Sequence, residues 1–323
     1  MRAVVLRLYG GPEVLTIEDV PDPVPGPEEV VVDIVATSLN RADMLQRLGL
    51  YPGPKMTHEI PGLEFAGRVS AVGERAAMWR VGEAVMAITG GGAYAERIAI
   101  HERQLMAVPV SIPVEDAAAI PEVFLTAWDA LVVQGGLTSG RWALIHAGAS
   151  GVGTAGIQIA KAIGARVAVT CSPGKADAVR ALGCDLVFER SPHDWRADAQ
   201  AAVPGGFDVI LDVIGADELN RNIAAVASRG AIVQVGTMEG GQPVINLGLL
   251  MGKRARLIGT VLRARPLEEK IALTRRFASE ILPLFDAGAL RPVIDSRFAI
   301  DDIADAHRRM TANLTVGKIV EDL

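Results

Sequence analysis

The chain has 323 residues, half of them hydrophobic, with 34 glycines, two cysteines and a net charge of −6. That length exceeds one ordinary core and predicts two domains of glycine- and alanine-rich α/β type, while the acidic balance without a dense basic run excludes nucleic acid as a main partner. No apolar leader and no membrane-length apolar stretch is read, and Cys171 and Cys184 form no disulfide framework, so a reducing cytoplasm is the expected location.

Residues 1–120 change character every few positions. Short strands are predicted at 2–6, 14–19, 29–36, 67–72, 83–88 and 93–100, separated by proline and glycine, most densely in Pro21-Asp22-Pro23-Val24-Pro25-Gly26-Pro27. Many short strands with such turns indicate a compact, barrel-like β domain. From Pro121 the pattern becomes helical, with a helix predicted over 126–133. Residues 142–146 then form an apolar run of strand length, 148–153 a glycine-rich turn, 152–163 a helix stopped by Gly164, and 166–170 a second strand. Strand, turn, helix and strand within one such stretch make a βαβ unit. Alternation continues with a strand at 207–213, a helix at 218–227, and strands at 231–235 and 256–261. This order predicts a doubly wound parallel sheet whose ligand lies at the carboxyl ends of the strands, where Asp212, Gly215, Gly236 and Thr237 fall. Beyond Arg265, a helix at 267–285, a strand at 293–300, a helix at 302–313 with Asp301 as N-cap, and a last strand at 317–321 continue neither pattern.

The turn at 148–153 carries the chemistry. A helix that begins directly after a strand aims its free N–H groups and positive dipole end at whatever lies above the turn, which suits a pyrophosphate. The dinucleotide fingerprint G-x-G-x-x-G maps onto Gly148, Ser150 and Gly153, with Gly151 and Val152 between, so serine replaces the middle glycine. A nucleophile elbow would need glycine where Val152 stands, and a Walker loop would need Lys and Ser or Thr after its last glycine. Ser150 is therefore a phosphate-turn residue. An NAD site has an acid roughly 20 residues past the first glycine, but Ala168 to Ser172 contains none; Ser172, Lys175 and Arg190 offer a hydroxyl and two cations instead. These suit a 2′-phosphate, and NADPH is the expected cofactor.

Asn40-Arg41-Ala42-Asp43, Gln46-Arg47, Gly49 with Tyr51, Ala118-Ala119-Ile120-Pro121-Glu122, Leu125-Thr126-Ala127, His146-Ala147-Gly148, Leu262-Arg263-Ala264-Arg265 and Gly317-Lys318-Ile319-Val320 complete the picture. Together they resemble the zinc-independent quinone oxidoreductases of the medium-chain dehydrogenase/reductase family, in particular the p53-inducible subgroup, from end to end of the chain. The resemblance implies a GroES-like catalytic domain from residues 1–121 and 263–323, a Rossmann domain from residues 122–262, NADPH in the cleft between them, and a homodimer joined through the Rossmann sheets. It also places Thr126 at the nicotinamide ribose and Leu262 on the cofactor. Zinc members of the family carry a Cys near the position of Asn40 and a His at that of Leu63, and neither residue here can supply a thiolate or imidazole. His58, His101, His146, His193 and His307 are scattered, and no metal is expected.

Without a Lewis acid the hydride acceptor must already be electrophilic, as a quinone or conjugated enone is, and the protein chiefly orients nicotinamide and acceptor. Asn40 and Tyr51 are expected to face the acceptor, with Gln46 and Asp43 behind them, and Glu64 to be structural; Arg263 and Arg265 are either solvated or at the cleft edge. An enone or enoyl-thioester reductase would need a proton donor, for which Tyr51 is the evident candidate. An NADPH-binding protein with weak turnover is the third reading.

Overall fold

The computed structural model describes residues 1–51, 57–190 and 194–323. In chain order the strands are β1 (Arg2–Leu6), β2 (Leu15–Asp19), β3 (Glu29–Leu39), β4 (Glu64–Val72), β5 (Ala84–Ile88), β6 (Arg97–His101), β7 (Met106–Ala107), β8 (Trp142–Ile145), β9 (Arg166–Cys171), β10 (Leu186–Glu189), β11 (Phe207–Asp212), β12 (Val226–Gln234), β13 (Arg256–Gly259), β14 (Ile294–Ala299) and β15 (Lys318–Asp322). They divide between two compact units, one of Met1–Glu122 with Arg263–Leu323 and the other of Val123–Leu262. No helix among the described residues is long and apolar enough to cross a membrane.

The first unit is built on β3. Its sequence Glu-Val-Val-Val-Asp-Ile-Val-Ala-Thr-Ser-Leu is buried almost throughout, and it is long enough to serve two partners along one edge. Glu29 to Asp33 pair antiparallel with β6, Ala36 to Leu39 with β15, and β4 runs along the other edge. The sheet order is β14-β15-β3-β4-β5-β7, so strands from the last segment of the chain lie in the sheet of the first. Beside it β1 and β2 form a two-stranded ribbon whose Val4 and Val5 pack with Leu39, Tyr94, Ile303, Ala306 and Ile319.

The second unit has one six-stranded sheet of order β10-β9-β8-β11-β12-β13, every neighbouring pair parallel. Trp-Ala-Leu-Ile, Arg-Val-Ala-Val-Thr-Cys and Phe-Asp-Val-Ile-Leu-Asp are near-continuous apolar runs, as strands covered on both faces require. The order reverses at β8, and the turn after β8 stands at that switch point, where doubly wound sheets bind ligands.

Several sequence expectations shift. Only the end of the 93–100 run is strand; Tyr94 instead packs against Gly62, whose φ of 96° leaves no room for a Cβ beside the ring. The helix expected over 267–285 is two, Leu267–Glu280 and Leu282–Asp286, because Pro283 has no N–H to continue it. A 3₁₀ turn over Ile300–Asp302 makes Asp302 the cap of the Ile303–Thr311 helix, and Asp301 pairs with Arg2 instead. The helix expected over 126–133 begins at Pro121 and passes into a π-helical turn at Asp129–Gln134.

Candidate active site

In the second unit β8 delivers the chain into His146, Ala147 (φ 52°) and Gly148, and the helix Gly151–Ala162 starts three residues later. Ser150 is its N-cap, its Oγ accepting the Gly153 N–H at 3.0 Å. The glycines answer to packing: a Cβ on Gly148 would lie 2.7 Å from Cβ of Val169, and one on Gly153 would lie 2.4 Å from the Ala147 carbonyl oxygen. The N–H groups of Gly151 and Val152 have no partner among the described residues and remain available at the positive end of the helix. These observations fit the turn to a pyrophosphate.

The other expected cofactor residues surround the carboxyl ends of the same sheet. Ser172 is exposed just past β9, Lys175 precedes the Ala176–Ala181 helix, and Arg190 follows β10 with its N–H on the Cys171 carbonyl. Arg190 Nη2 donates to Glu239 Oε1 at 2.8 Å, but both side chains are substantially exposed, and such a pair contributes about 0–1 kcal/mol. A phosphate dianion can displace that carboxylate. Gly215 (φ 73°) lies against the Gly240 carbonyl, where a Cβ would come within 2.5 Å, whereas Gly236 is less crowded. Thr126 and Leu262 are both more than nine-tenths buried.

Beneath the turn runs a buried polar chain that the sequence did not announce. Asn222 Nδ2 donates to Asp212 Oδ2 at 2.9 Å, which leaves its Oδ1 to accept from His146 Nε2 at 2.7 Å; His146 Nδ1 is in turn hydrogen-bonded to the Thr170 hydroxyl at 2.9 Å. His146 thus ties the end of β8 to β9 and to the Glu218–Ala225 helix. His146→Leu, which orphans Asn222 and Thr170 in the interior, is expected to cost about 1–3 kcal/mol, read from the urea midpoint of the purified protein.

In the first unit the helix Arg41–Arg47 is capped by a reciprocal contact, Asp43 Oδ2 accepting the Asn40 N–H at 2.8 Å while Asp43 Oδ1 accepts Gly62 N–H at 3.2 Å. Burial pushes the Asp43 carboxyl up to about 6, against those two hydrogen bonds and Lys318. Asn40 Nδ2 donates to Glu64 Oε1 at 2.8 Å and to the Ser38 carbonyl, and Oδ1 accepts from Lys318 Nζ at 2.6 Å. The amide expected to face the acceptor therefore faces Glu64 and Lys318 instead. Lys318, 3 % exposed, directs its three ammonium protons to Asn40 Oδ1, the Leu39 carbonyl and Glu64 Oε1. Glu64, fully buried, accepts also from Ser38 Oγ at 2.6 Å and, on Oε2, from the Glu122 N–H at 2.7 Å.

A second cluster gathers three residues the sequence could only name separately. Arg263 Nε donates to the Gly90 carbonyl at 2.7 Å, Nη1 to the Tyr51 carbonyl at 3.0 Å and Nη2 to Gln46 Oε1 at 2.7 Å, and its guanidinium carbon lies 4.8 Å from the centre of the Tyr51 ring. Gln46 is itself oriented by donating to Glu59 Oε1 at 3.1 Å. Arg263 is thus an organising cation, held in a fixed plane over a half-buried tyrosine. Glu122, whose N–H is bonded to Glu64, is half-buried, and burial together with Glu64 pushes its carboxyl up to about 8. Neither Arg263 nor Glu122 could be assigned from sequence, because both act through partners far along the chain. No group of three or more His, Cys, Asp or Glu suited to a metal occurs among the described residues, outside which His193 lies.

Residues 26–110 match the alcohol dehydrogenase GroES-like domain and residues 151–279 the zinc-binding dehydrogenase family. A quinone oxidoreductase of Pseudomonas aeruginosa is 35 % identical over 99 % of this chain and 98 % of its own. Among solved structures, an NAD-dependent alcohol dehydrogenase superposes with a TM-score of 0.91 at 31 % identity over the whole of both chains. A mycobacterial protein crystallised with NADPH does so with a TM-score of 0.91 at 28 % identity, again over both entire chains. With a GroES-like domain, a six-stranded Rossmann sheet and these relatives, the chain is an oxidoreductase of the medium-chain dehydrogenase/reductase family.

Proposed function

We propose that the protein is a zinc-independent, NADPH-dependent quinone oxidoreductase. The observation that carries this reading is the Arg263–Tyr51–Gln46 cluster, a fixed cation and aromatic face suited to a flat acceptor that gains negative charge. NADPH supplies a hydride from its nicotinamide. The chain's own part is to bind and orient: the Gly148–Gly153 turn takes the pyrophosphate, Ser172, Lys175 and Arg190 the 2′-phosphate, and Tyr51 and Arg263 the acceptor. Asn40 and Gln46 act by positioning, the first through Lys318 and Glu64, the second through Arg263. Zinc independence rests on the donor set, since Asn40 and Leu63 lack the thiolate and imidazole a zinc site uses, and Glu64 is already neutralised by Lys318.

A homodimer is part of the proposal. Among the described residues β13 pairs only with β12 and leaves an open edge with half-exposed Leu257, while Met251 and Leu247 stand exposed on the preceding helix. A second reading, reduction of an enone or enoyl thioester, draws on the same cluster, with the Tyr51 phenol as the evident proton donor. NADPH oxidation by the purified protein separates them, with ortho- and para-quinones, 2-alkenones and an enoyl thioester as acceptors, NADH in parallel and a chelator in one arm. Quinone turnover that prefers NADPH, ignores chelator and falls in Tyr51→Phe supports the proposal. Turnover confined to enones moves the protein to double-bond reduction, and tight NADPH binding with no turnover makes it a cofactor-binding protein.

A further inference from the structure

We propose that the Arg190–Glu239 ion pair is a latch across the Gly148–Gly153 turn, which either nicotinamide cofactor must open and only a 2′-phosphate replaces; this rests on the dinucleotide reading above. The two backbones are anchored on opposite sides of the turn. Arg190 donates its N–H to the carbonyl of Cys171, the last residue of β9, at 2.7 Å. Glu239 donates its N–H at 2.9 Å to the carbonyl of Ile214, two residues past the end of β11. β8 lies between β9 and β11 and pairs with both, and the turn follows its last residue. Two strand spacings, about 10 Å, therefore separate the anchors. The side chains close that gap, Arg190 Nη2 donating to Glu239 Oε1 at 2.8 Å. The ion pair thus spans the carboxyl end of β8, the switch point at which the pyrophosphate is expected.

The backbone on the Glu239 side is laced in place. Met238 N–H donates to the Val213 carbonyl at 3.2 Å and Ala216 N–H to the Gly240 carbonyl at 2.8 Å, one bond on each side of Glu239. Asp212 Oδ1 holds the same stretch by accepting the N–H groups of Ile214 at 2.6 Å and Gly215 at 3.1 Å. The side chains are freer, with Arg190 30 % and Glu239 53 % exposed, so water can receive both charges. Opening the latch is accordingly a rotation of two side chains over a fixed frame.

The two cofactors leave different states behind. Both carry the pyrophosphate, so both part the pair on reaching the turn. NADPH gives Arg190 a phosphate in exchange for the carboxylate. NADH has a hydroxyl at that place, and Arg190 and Glu239 are left apart. Arg190 therefore works against NADH as half of the latch and in favour of NADPH as a phosphate ligand. Glu239 works against both by competing for Arg190.

A double-mutant cycle read by cofactor binding tests this. Fluorescence titrations with NADH and NADPH are run on the unmodified protein, Arg190→Met, Glu239→Gln and the double variant. Glu239→Gln should strengthen NADH binding by about 2- to 5-fold, the worth of an exposed ion pair. In the Arg190→Met background the same substitution should gain NADH little, because the latch is already gone. Arg190→Met should weaken NADPH by about tenfold through loss of a charge-assisted contact, while NADH is held as well as before or better. An equal NADH gain from Glu239→Gln in both backgrounds overturns the latch, since a carboxylate that merely repels the pyrophosphate through space acts without Arg190. Unchanged or weaker NADH binding in Glu239→Gln overturns it as well, and leaves NADPH binding by the turn intact. Failure of the unmodified protein to bind either cofactor overturns the dinucleotide reading and the latch together.

Discussion

Lys318→Met is expected to destabilise the protein by about 3–5 kcal/mol, the cost of removing one partner from a buried ion pair. Among the described residues the ammonium is the only cation bonded to Glu64, and it satisfies three acceptors within 2.8 Å. Without it Glu64 keeps two neutral donors and the Glu122 N–H, which is too little to hold an ionised carboxylate in the interior. The double variant Lys318→Met with Glu64→Leu should recover much of the loss, because apolar replacements of both partners remove the desolvation penalty of each. Urea unfolding of the three proteins checks this, and equal stability of single and double variants would mean that the pair is not the energetic unit. The same substitution has an electrostatic consequence. Lys318 lowers the carboxyls of Asp43 and Glu122 from the still higher values that burial would give them. If the single variant survives purification, its Glu122 titration should therefore move upward in pH.

The Rossmann half was legible because its information is local. β8, the turn, the helix and β9 are contiguous, and period, glycine and cap signals all fall within one stretch of chain. The GroES-like half was legible as strands, but the contacts that gather its polar side chains were not. Lys318 and Glu64 are 254 residues apart and Arg263 and Gln46 are 217 apart, so neither pair leaves a spacing to read. Residues 37–39 were missed as the end of β3 because Thr37 and Ser38 read as polar, yet their hydroxyls are buried on the carbonyl and carboxylate of Glu64. Lys318 could have been suspected from its place, since it shares a strand face with Val320 in the last apolar run. For Asn40 the direction of the amide was not legible; a side-chain amide next to a helix start reads equally as a ligand contact and as a support. Glu122 reads as an ordinary acid at the first turn of a helix, and its raised carboxyl comes from burial first and the neighbouring Glu64 second, neither of which the sequence displays.

Gly153→Ala is expected to weaken NADPH binding by about 5- to 150-fold, while Gly156→Ala one turn further along the same helix leaves it nearly unchanged. The two sites differ in what a methyl group would strike. At 153 it meets backbone, the carbonyl oxygens of Ala147 and Gly148 at 2.4 and 2.5 Å. At 156 the nearest atom is the end of a flexible side chain, Cδ1 of Ile145 at 3.0 Å. The turn cannot yield at 153. Ala147 is already in a left-handed conformation, the Gly148 N–H is bonded to the Thr170 carbonyl at 2.8 Å, and Gly148 rests on Val169. The helix must move instead, which draws the Gly153 N–H away from Ser150 Oγ and the free N–H groups of Gly151 and Val152 away from the phosphate. Overpacking of this kind costs about 1–3 kcal/mol; if binding requires the helix to return, that cost appears in the affinity at tenfold per 1.4 kcal/mol. At Gly156 the relief of an ordered glycine by alanine, about 0.5–1 kcal/mol, offsets a small repacking of Ile145. Fluorescence titration of both variants with NADPH and NADH distinguishes the cause. A pyrophosphate effect lowers both affinities by one factor, since the two cofactors share that group. A loss confined to NADPH would mean that the disturbance had reached Ser172, Lys175 and Arg190, and that the turn and the 2′-phosphate residues respond as a single element.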